Sequence, residues 1–234
     1  MLVAAGVFPH PPVLVPRMAG DRAFELDGLR AACAEGVTRL LDSDPDVVVV
    51  VGGGEDTVSY PTPVAGTLAP YGLDLTVGQG AEVLPLSLTI ARWLLDVHAP
   101  AHAPLFESVS ASAPVDDCLE LGRRLAQRHR RVALMVMGDG SACRDVKAPG
   151  FLDPEAVPHD DDIARALATG DEEVLAAVDP RTSERLLVSG RAAWQVLAGA
   201  ASGRSVEAEL LDYQAPYGVG YFVASWRCGP SERK

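Results

Sequence analysis

The stretch that decides the fold is Asp46-Val47-Val48-Val49-Val50-Val51-Gly52-Gly53-Gly54. Five consecutive valines cannot alternate between a buried face and a solvated face, so the segment fits a strand that is covered on both sides. Strands of that kind lie at the centre of parallel sheets flanked by helices. The sequence therefore predicts a central strand, followed by a tight glycine turn, within an α/β domain.

Further apolar runs predict the rest of the sheet. Residues 2–8 and 132–137 are short buried strands, and residues 105–109 predict another. Helical spacing or acidic starts mark residues 21–41, 83–97, 115–130, 160–168, 171–178 and 182–201. Residues 206–212 and 217–226 predict a closing hairpin, and residues 55–80 predict a long loop with one short strand.

The alternation of strands and helices predicts the fold class and the domain limits. We expect an α/β, single-domain three-layer sandwich with a mostly parallel mixed central sheet, helices on both faces and a C-terminal antiparallel hairpin. We see no internal repeat and no linker, so one domain is predicted over residues 1–226. The polar residues 227–234 are expected to be a frayed tail.

Composition limits the classes of partner. The 234 residues carry 32 acidic and 20 basic side chains, for a net charge of −12. This balance argues against a nucleic-acid groove or an anionic membrane surface as partner. No apolar run reaches the ~18 residues that a membrane span needs. A small anionic ligand stays possible, because a local pocket can oppose the global charge.

The cysteines and the first residues bear on the compartment. Four scattered cysteines form no C-x-x-C pair, which favours reduced thiols over a disulfide framework or a zinc site. The apolar N-terminus lacks a basic region and is interrupted by prolines, so it predicts a strand and not a signal peptide. We expect a cytoplasmic protein.

Three of the predicted strands end in unusual loops. They are Pro9-His10-Pro11-Pro12, Gly52-Gly53-Gly54-Glu55-Asp56 and Gly138-Asp139-Gly140-Ser141. In open α/β sheets the ligand crevice lies outside the carboxyl ends of the strands. We therefore predict that these loops line one crevice.

Each loop also has a purely structural interpretation. His10, held by stiff prolines, suits metal binding or proton transfer, or it caps a carbonyl. The triple glycine could cradle a phosphate or belong to a methyltransferase turn, but it lacks the G-x-G-x-x-G spacing, and a tight turn is favoured. Glu55 and Asp56 are candidate metal carboxylates, or solvated residues that follow a strand.

Asp139 and Ser141 are candidate catalytic residues together with His10. Backbone N–H groups of their turn can form an anion nest, whereas no G-x-S-x-G nucleophile elbow is present. Gly53, Tyr60 and Tyr217 are the candidate substrate-binding residues, with hairpin packing as the alternative for Tyr217.

Over nearly its whole length the chain resembles the class III extradiol dioxygenase superfamily, which includes protocatechuate ring-opening catalytic subunits and the Memo proteins. The resemblance rests on P-H-P-P at residues 9–12, the strand at 47–54, G-D-G-S at 138–141 and P-Y-G-V-G-Y at 216–221. It closely resembles a branch of uncharacterised actinobacterial proteins of this superfamily.

The resemblance implies non-haem Fe(II) held by two histidines and a carboxylate, with a further histidine as acid/base. His10 matches the first ligand. Residues 52–56 contain no second histidine, Ala142 stands at the acid/base position, and Ser189 replaces a Memo-type cysteine. By resemblance the metal site is therefore incomplete, although Fe(II) or another divalent metal is the expected cofactor. Glu55 and Asp56 could join His10 in an oxygen-rich site, which would suit Mn²⁺ or Mg²⁺ more than ring-cleavage iron.

Two functional hypotheses follow. In the first, the chain is a dioxygenase-like oxidoreductase or another metal-assisted enzyme, with His10 as ligand or base. In the second, it is a catalytically degenerate member that binds a small molecule, aromatic by resemblance, or a protein. A methyltransferase is a distant third, and association into a homo-oligomer is left open.

Overall fold

The computed structural model describes residues 1–231. Its strands are β1 (Leu2–Phe8), β2 (Val47–Gly54), β3 (Val58–Tyr60), β4 (Val64–Thr67), β5 (Thr76–Gly78), β6 (Ala81–Glu82), β7 (Leu105–Ser110), β8 (Val132–Met137), β9 (Arg204–Gln214) and β10 (Tyr221–Ser231). Its α-helices are α1 (Pro16–Ala19), α2 (Asp27–Asp42), α3 (Leu86–His98), α4 (Val115–Ala126), α5 (Ala156–Thr169), α6 (Glu172–Ala176), α7 (Pro180–Arg185) and α8 (Arg191–Ala201).

Seven of these strands form the central sheet, in the order β3-β7-β2-β8-β1-β10-β9. Strands β7, β2, β8 and β1 run parallel to one another. Strand β3 at one edge and strands β10 and β9 at the other are antiparallel to their neighbours. The predicted mixed sheet with a parallel centre and a C-terminal hairpin is confirmed.

The valine run of β2 contributes to both faces of the sheet. Val48 and Val50 belong to the apolar cluster that includes α2 and α3, whereas Val49 and Val51 belong to the cluster that includes α4, α5 and α8. Because successive side chains of a strand point to opposite faces, five valines supply both clusters at once. Helices therefore cover both faces, and the domain has three layers.

Three sequence predictions need correction. Residues 55–80 hold β3, β4 and β5, and β4 pairs with β5 and β6 in a second, three-stranded sheet. The helix predicted over residues 182–201 is interrupted, and Leu187 in the break has a positive φ of 53°. The frayed tail predicted from residue 227 is wrong up to Ser231, because β10 continues to that residue; residues 232–234 lie outside the described part.

Helices α4 and α8 approach each other closely through two glycines. A Cβ on Gly122 would lie 2.0 Å from the carbonyl oxygen of Val196, and one on Gly199 would lie 2.0 Å from that of Leu119. Since both obstacles are backbone atoms, any larger residue has to push the helices apart.

Two further observations concern the cysteines and the helices. All four cysteines are free and buried, in agreement with the predicted reduced thiols. Within residues 1–231, no helix combines the length and the apolar character needed to cross a bilayer.

Candidate functional site

The candidate site lies at the carboxyl edge of the parallel strands. Phe8 of β1 and Gly52 of β2 are both in register with Met137 of β8, so β1 and β8 end side by side and β2 extends two residues further, to Gly54. Residues that follow each strand by one or two positions therefore meet. His10 follows β1 and Asp139 follows β8, and this places the two residues together.

His10 and Asp139 form a buried pair. The backbone N–H of His10 donates to Asp139 Oδ1 at 2.8 Å, and His10 Nδ1 lies 3.7 Å from the same oxygen. Nδ1 is fully covered and has no hydrogen-bond partner in the described chain, whereas Nε2 is also unbonded but is not fully covered. The pair therefore directs one ring nitrogen towards the carboxylate and leaves the other free to contact a ligand.

Burial changes the protonation chemistry around this pair. Removal from water raises the pKa of the Asp139 carboxyl above its ordinary value of 3.8, although His10 opposes the shift. Burial also raises the pKa of the Tyr221 phenol, and the nearby Asp139 charge acts in the same direction. Tyr221 thus remains a neutral hydroxyl beside the pair at physiological pH.

The break between α7 and α8 supplies a third polar residue. The backbone N–H of Asp139 donates to Ser189 Oγ at 3.3 Å, and the N–H of Gly190 donates to the Asp139 carbonyl at 2.9 Å. Gly53 faces the same segment, because a Cβ on Gly53 would lie 3.6 Å from the Ser189 carbonyl oxygen. His10, Gly53, Asp139 and Ser189 thus share this edge.

Ser141 has a different position from the one predicted. It is completely buried, its hydroxyl donates to the Leu186 carbonyl at 2.9 Å, and the same oxygen accepts from the Cys143 N–H at 3.0 Å. Because this hydroxyl forms hydrogen bonds with two backbone groups, it stabilises the loop. The prediction of a catalytic Ser141 therefore has no support in this geometry.

The motifs that carry the family resemblance contact one another directly. The N–H of Gly140 donates to the Gly220 carbonyl at 2.7 Å, and the N–H of Gly220 donates to the Ser141 carbonyl at 3.0 Å. With the bond from His10 to Asp139, this joins the P-H-P-P, G-D-G-S and P-Y-G-V-G-Y segments. Of the three loops predicted to converge, those at residues 9–12 and 138–141 are joined directly by this bond.

Asp160, which the sequence places in an acidic run typical of a helix start, supports this junction. Its carboxylate is inaccessible to solvent, accepts from the Ser141 N–H at 2.9 Å and pairs with Arg144 at 3.1 Å. A Cβ on Gly220 would lie 2.1 Å from Asp160 Oδ2, and one on Gly140 would lie 2.7 Å from Oδ1. Both glycines are therefore needed to admit the carboxylate.

The remaining predicted site residues form no hydrogen bond or ion pair with His10 or Asp139 within residues 1–231. Glu55 and Asp56 are exposed, and their side chains form no ion pair or hydrogen bond within the described residues. Tyr60 lies on the edge strand β3, separated from β1 by three strands, and its hydroxyl is 3.4 Å from Ser108 Oγ. Tyr217 is half-buried and donates to Glu25 at 2.9 Å.

The residues present do not fit the iron site that the resemblance implies. Within residues 1–231, no group of three or more His, Cys, Asp or Glu side chains is arranged to hold a metal ion. His10, Glu55 and Asp56 therefore do not assemble into the predicted metal site. A single imidazole with one buried carboxylate falls short of the two histidines and one carboxylate that hold non-haem Fe(II).

The chain is similar in structure to the uncharacterized protein JW3007 from Escherichia coli K12, which is known from a crystal structure. The two chains share 16% of their residues, and the match covers 96% of this chain and 99% of the other with a TM-score of 0.54. At this identity the likeness shows the fold alone. No protein-family model matches the chain, and no curated protein sequence matches it.

We expect Asp139→Asn to stabilise the protein at pH 7. Because the pKa of Asp139 is raised on folding, the folded state binds the proton more tightly, so wild type loses stability as pH rises from 3.8 through the raised value. Asparagine does not titrate and still accepts from the His10 N–H. In urea unfolding, Asp139→Asn should therefore have a higher free energy of unfolding than wild type at pH 7, and this difference should shrink as the pH falls towards 4.

Asp74→Asn is the matched control for this prediction, because Asp74 is exposed and forms no ion pair within residues 1–231. Asp74→Asn should leave the pH dependence of the free energy of unfolding as it is in wild type. A loss of stability in Asp139→Asn at pH 7 would mean that the ionised carboxylate stabilises the fold.

Proposed function

We propose that this protein is a cytoplasmic, class III extradiol dioxygenase-like protein that binds a small molecule at the carboxyl edge of its sheet and does not open catechol rings. The observation that carries the proposal is the His10–Asp139 pair. Its Nδ1 lies 3.7 Å from the carboxylate, and its Nε2 is free. An imidazole oriented in this way can exchange a hydrogen bond or a proton with a bound ligand.

The case against ring opening rests on the same residues. That reaction needs Fe(II) with open positions for the catecholate and O₂, and within residues 1–231 no further ligands join His10 to complete such a site. The acid/base position is occupied by Ala142, which cannot transfer a proton. The side chains at this edge therefore support recognition of a ligand better than activation of oxygen.

Catechol is the probe that tests the proposal. In ligand-observed NMR and isothermal titration, we expect catechol to bind wild type and to bind His10→Ala at least tenfold more weakly. His102→Ala is the control, since His102 is exposed. Equal affinity of catechol for wild type and His10→Ala would show that His10 does not take part in binding. Formation of the yellow ring-opened product after anaerobic loading with Fe(II) and exposure to O₂ would contradict the proposal directly.

Metal addition gives a separate prediction. Because no group of metal ligands forms around His10 in the described part of the chain, Fe(II), Mn²⁺ and Zn²⁺ should change the melting temperatures of wild type and His10→Ala by equal amounts. A rise in melting temperature confined to wild type would support the metal-assisted hypothesis.

Without metal, the His10→Ala protein should stay folded and lose about 1–2 kcal/mol of its free energy of unfolding, since His10 is buried but its side chain completes no hydrogen bond within residues 1–231.

A further inference from the structure

Arg191, the first residue of α8, carries a buried charge without a counter-ion. Its side chain is only 3% exposed. The guanidinium donates to the carbonyl oxygens of Ala113 (2.8 Å) and Ala111 and to Gln195 Oε1 (2.9 Å), all of them neutral acceptors. Among residues 1–231, no carboxylate lies within 4.0 Å of it, because Arg191 takes part in none of the ion pairs of this part of the chain.

This arrangement leaves both charge and hydrogen-bonding capacity unused. A guanidinium has five N–H donors, and the described contacts of Arg191 do not involve Nε. Burying an ion away from water is costly unless an opposite charge compensates it. Carbonyl dipoles offset part of this cost but leave the formal charge in place.

A cavity of about 360 Å³ lies against Arg191. Its other polar lining comes from Arg181, Ser112, Ser183, Ser189 and Glu184. The volume falls within the range of small-molecule sites. Hydroxyl groups and two arginines against one carboxylate give the cavity a donor-rich, net positive lining, in a protein whose overall charge is −12. The start of α8 adds the positive end of a helix dipole.

Ser189 connects this cavity to the His10–Asp139 pair. It lines the cavity, and its Oγ accepts the Asp139 N–H at 3.3 Å. We propose that the cavity binds the oxyanion group, carboxylate or phosphate, of a small molecule, with Arg191 as the counter-charge. This inference rests on the proposed function and names the chemical class of its ligand.

The first test compares two probes of the same shape, benzoate and benzamide. In NMR or calorimetric titration at pH 7, we expect benzoate to bind wild type at least tenfold more tightly than benzamide does. Added NaCl should weaken the binding of benzoate and leave the binding of benzamide unchanged. Inorganic phosphate is titrated in parallel, and the tighter of the two anions identifies the oxyanion that the cavity prefers. Equal binding of benzoate and benzamide, or no anion binding in the millimolar range, would overturn the proposal.

Surface variants avoid the risk that replacing the buried Arg191 unfolds the protein. Glu184 and Arg181 are exposed and free of ion pairs in the described chain. Glu184→Gln should tighten benzoate binding severalfold, and Arg181→Gln should weaken it severalfold. Glu207→Gln on β9 is the control, because it makes the same charge change away from the cavity. If Glu184→Gln and Glu207→Gln act alike, the anion does not bind in this cavity.

The results also separate this inference from the proposed function. If catechol binding depends on His10 but benzoate shows no advantage over benzamide, only the oxyanion inference fails. The opposite result is that benzoate is preferred and binds more tightly to Glu184→Gln, while catechol binds equally to wild type and His10→Ala. In that case the oxyanion inference is supported and the proposed role of His10 is wrong.

Discussion

Asp160→Ala is expected to destabilise the protein by about 3–5 kcal/mol, which lowers the melting temperature by roughly 10 °C. The substitution removes the carboxylate partner of the Arg144 guanidinium, whose side chain is only 14% exposed, and leaves it the neutral Tyr213 hydroxyl as an acceptor. It also removes the acceptor of the buried Ser141 N–H. A buried ion pair that loses one member leaves an uncompensated charge, and that is costly. Urea unfolding followed by circular dichroism measures the change.

Asp162→Ala is the matched control, since Asp162 lies two residues further along the same helix and forms an exposed pair with Arg165. Its loss should cost about 0.5 kcal/mol or less. Asp160→Asn should fall between the two, because the amide oxygen can still accept from Ser141. A cost of Asp160→Ala no larger than that of Asp162→Ala would show that the junction of the loops does not depend on this carboxylate.

Gly122→Ala is expected to destabilise the protein by about 3 kcal/mol, although it adds only one methyl group. That methyl would lie 2.0 Å from the Val196 carbonyl oxygen, so α4 and α8 have to separate. Overpacking against fixed backbone carries costs of this size. Displacement of α8 should also weaken anion binding, because Arg191 begins that helix.

Gly28→Ala makes the same chemical change where it meets no obstacle. No atom lies within 4 Å of a Cβ built on Gly28, which is in the first turn of α2. Alanine there should stabilise the protein by up to about 0.5–1 kcal/mol through its higher helix propensity. If Gly122→Ala proves as mild as Gly28→Ala, the two helices are not held at this distance.

The central sheet could be predicted because its residues obey local rules. The valine run of β2 and the apolar run of β8 require burial on both faces wherever they occur. The positions of His10 and Asp139 follow from the ends of β1 and β8, because parallel strands bring their carboxyl ends to one edge. This part of the site needed no knowledge of distant contacts.

The missed features depend on tertiary context. Residues 182–201 keep an apolar spacing compatible with one helix, yet Leu187 adopts a positive φ and the chain breaks there, which brings Ser189 to Asp139. Asp160, Asp161 and Asp162 all suit a helix start, and only the glycines opposite Asp160 decide which of them is buried. Arg191 likewise owes its isolation from acidic residues to packing and not to its neighbours in sequence.

The position of β1 has a consequence for the order in which the domain can form during synthesis. β1 lies between β8 and β10, with Ala4 opposite Arg227, so the earliest strand pairs with the latest one. A nascent chain therefore carries β1 with one row of backbone donors and acceptors unpaired until residues beyond 220 have left the ribosome. Contacts this distant in sequence make folding slow and late. On the ribosome, that open edge of β1 is exposed to pairing with other chains until the segment that forms β10 has emerged.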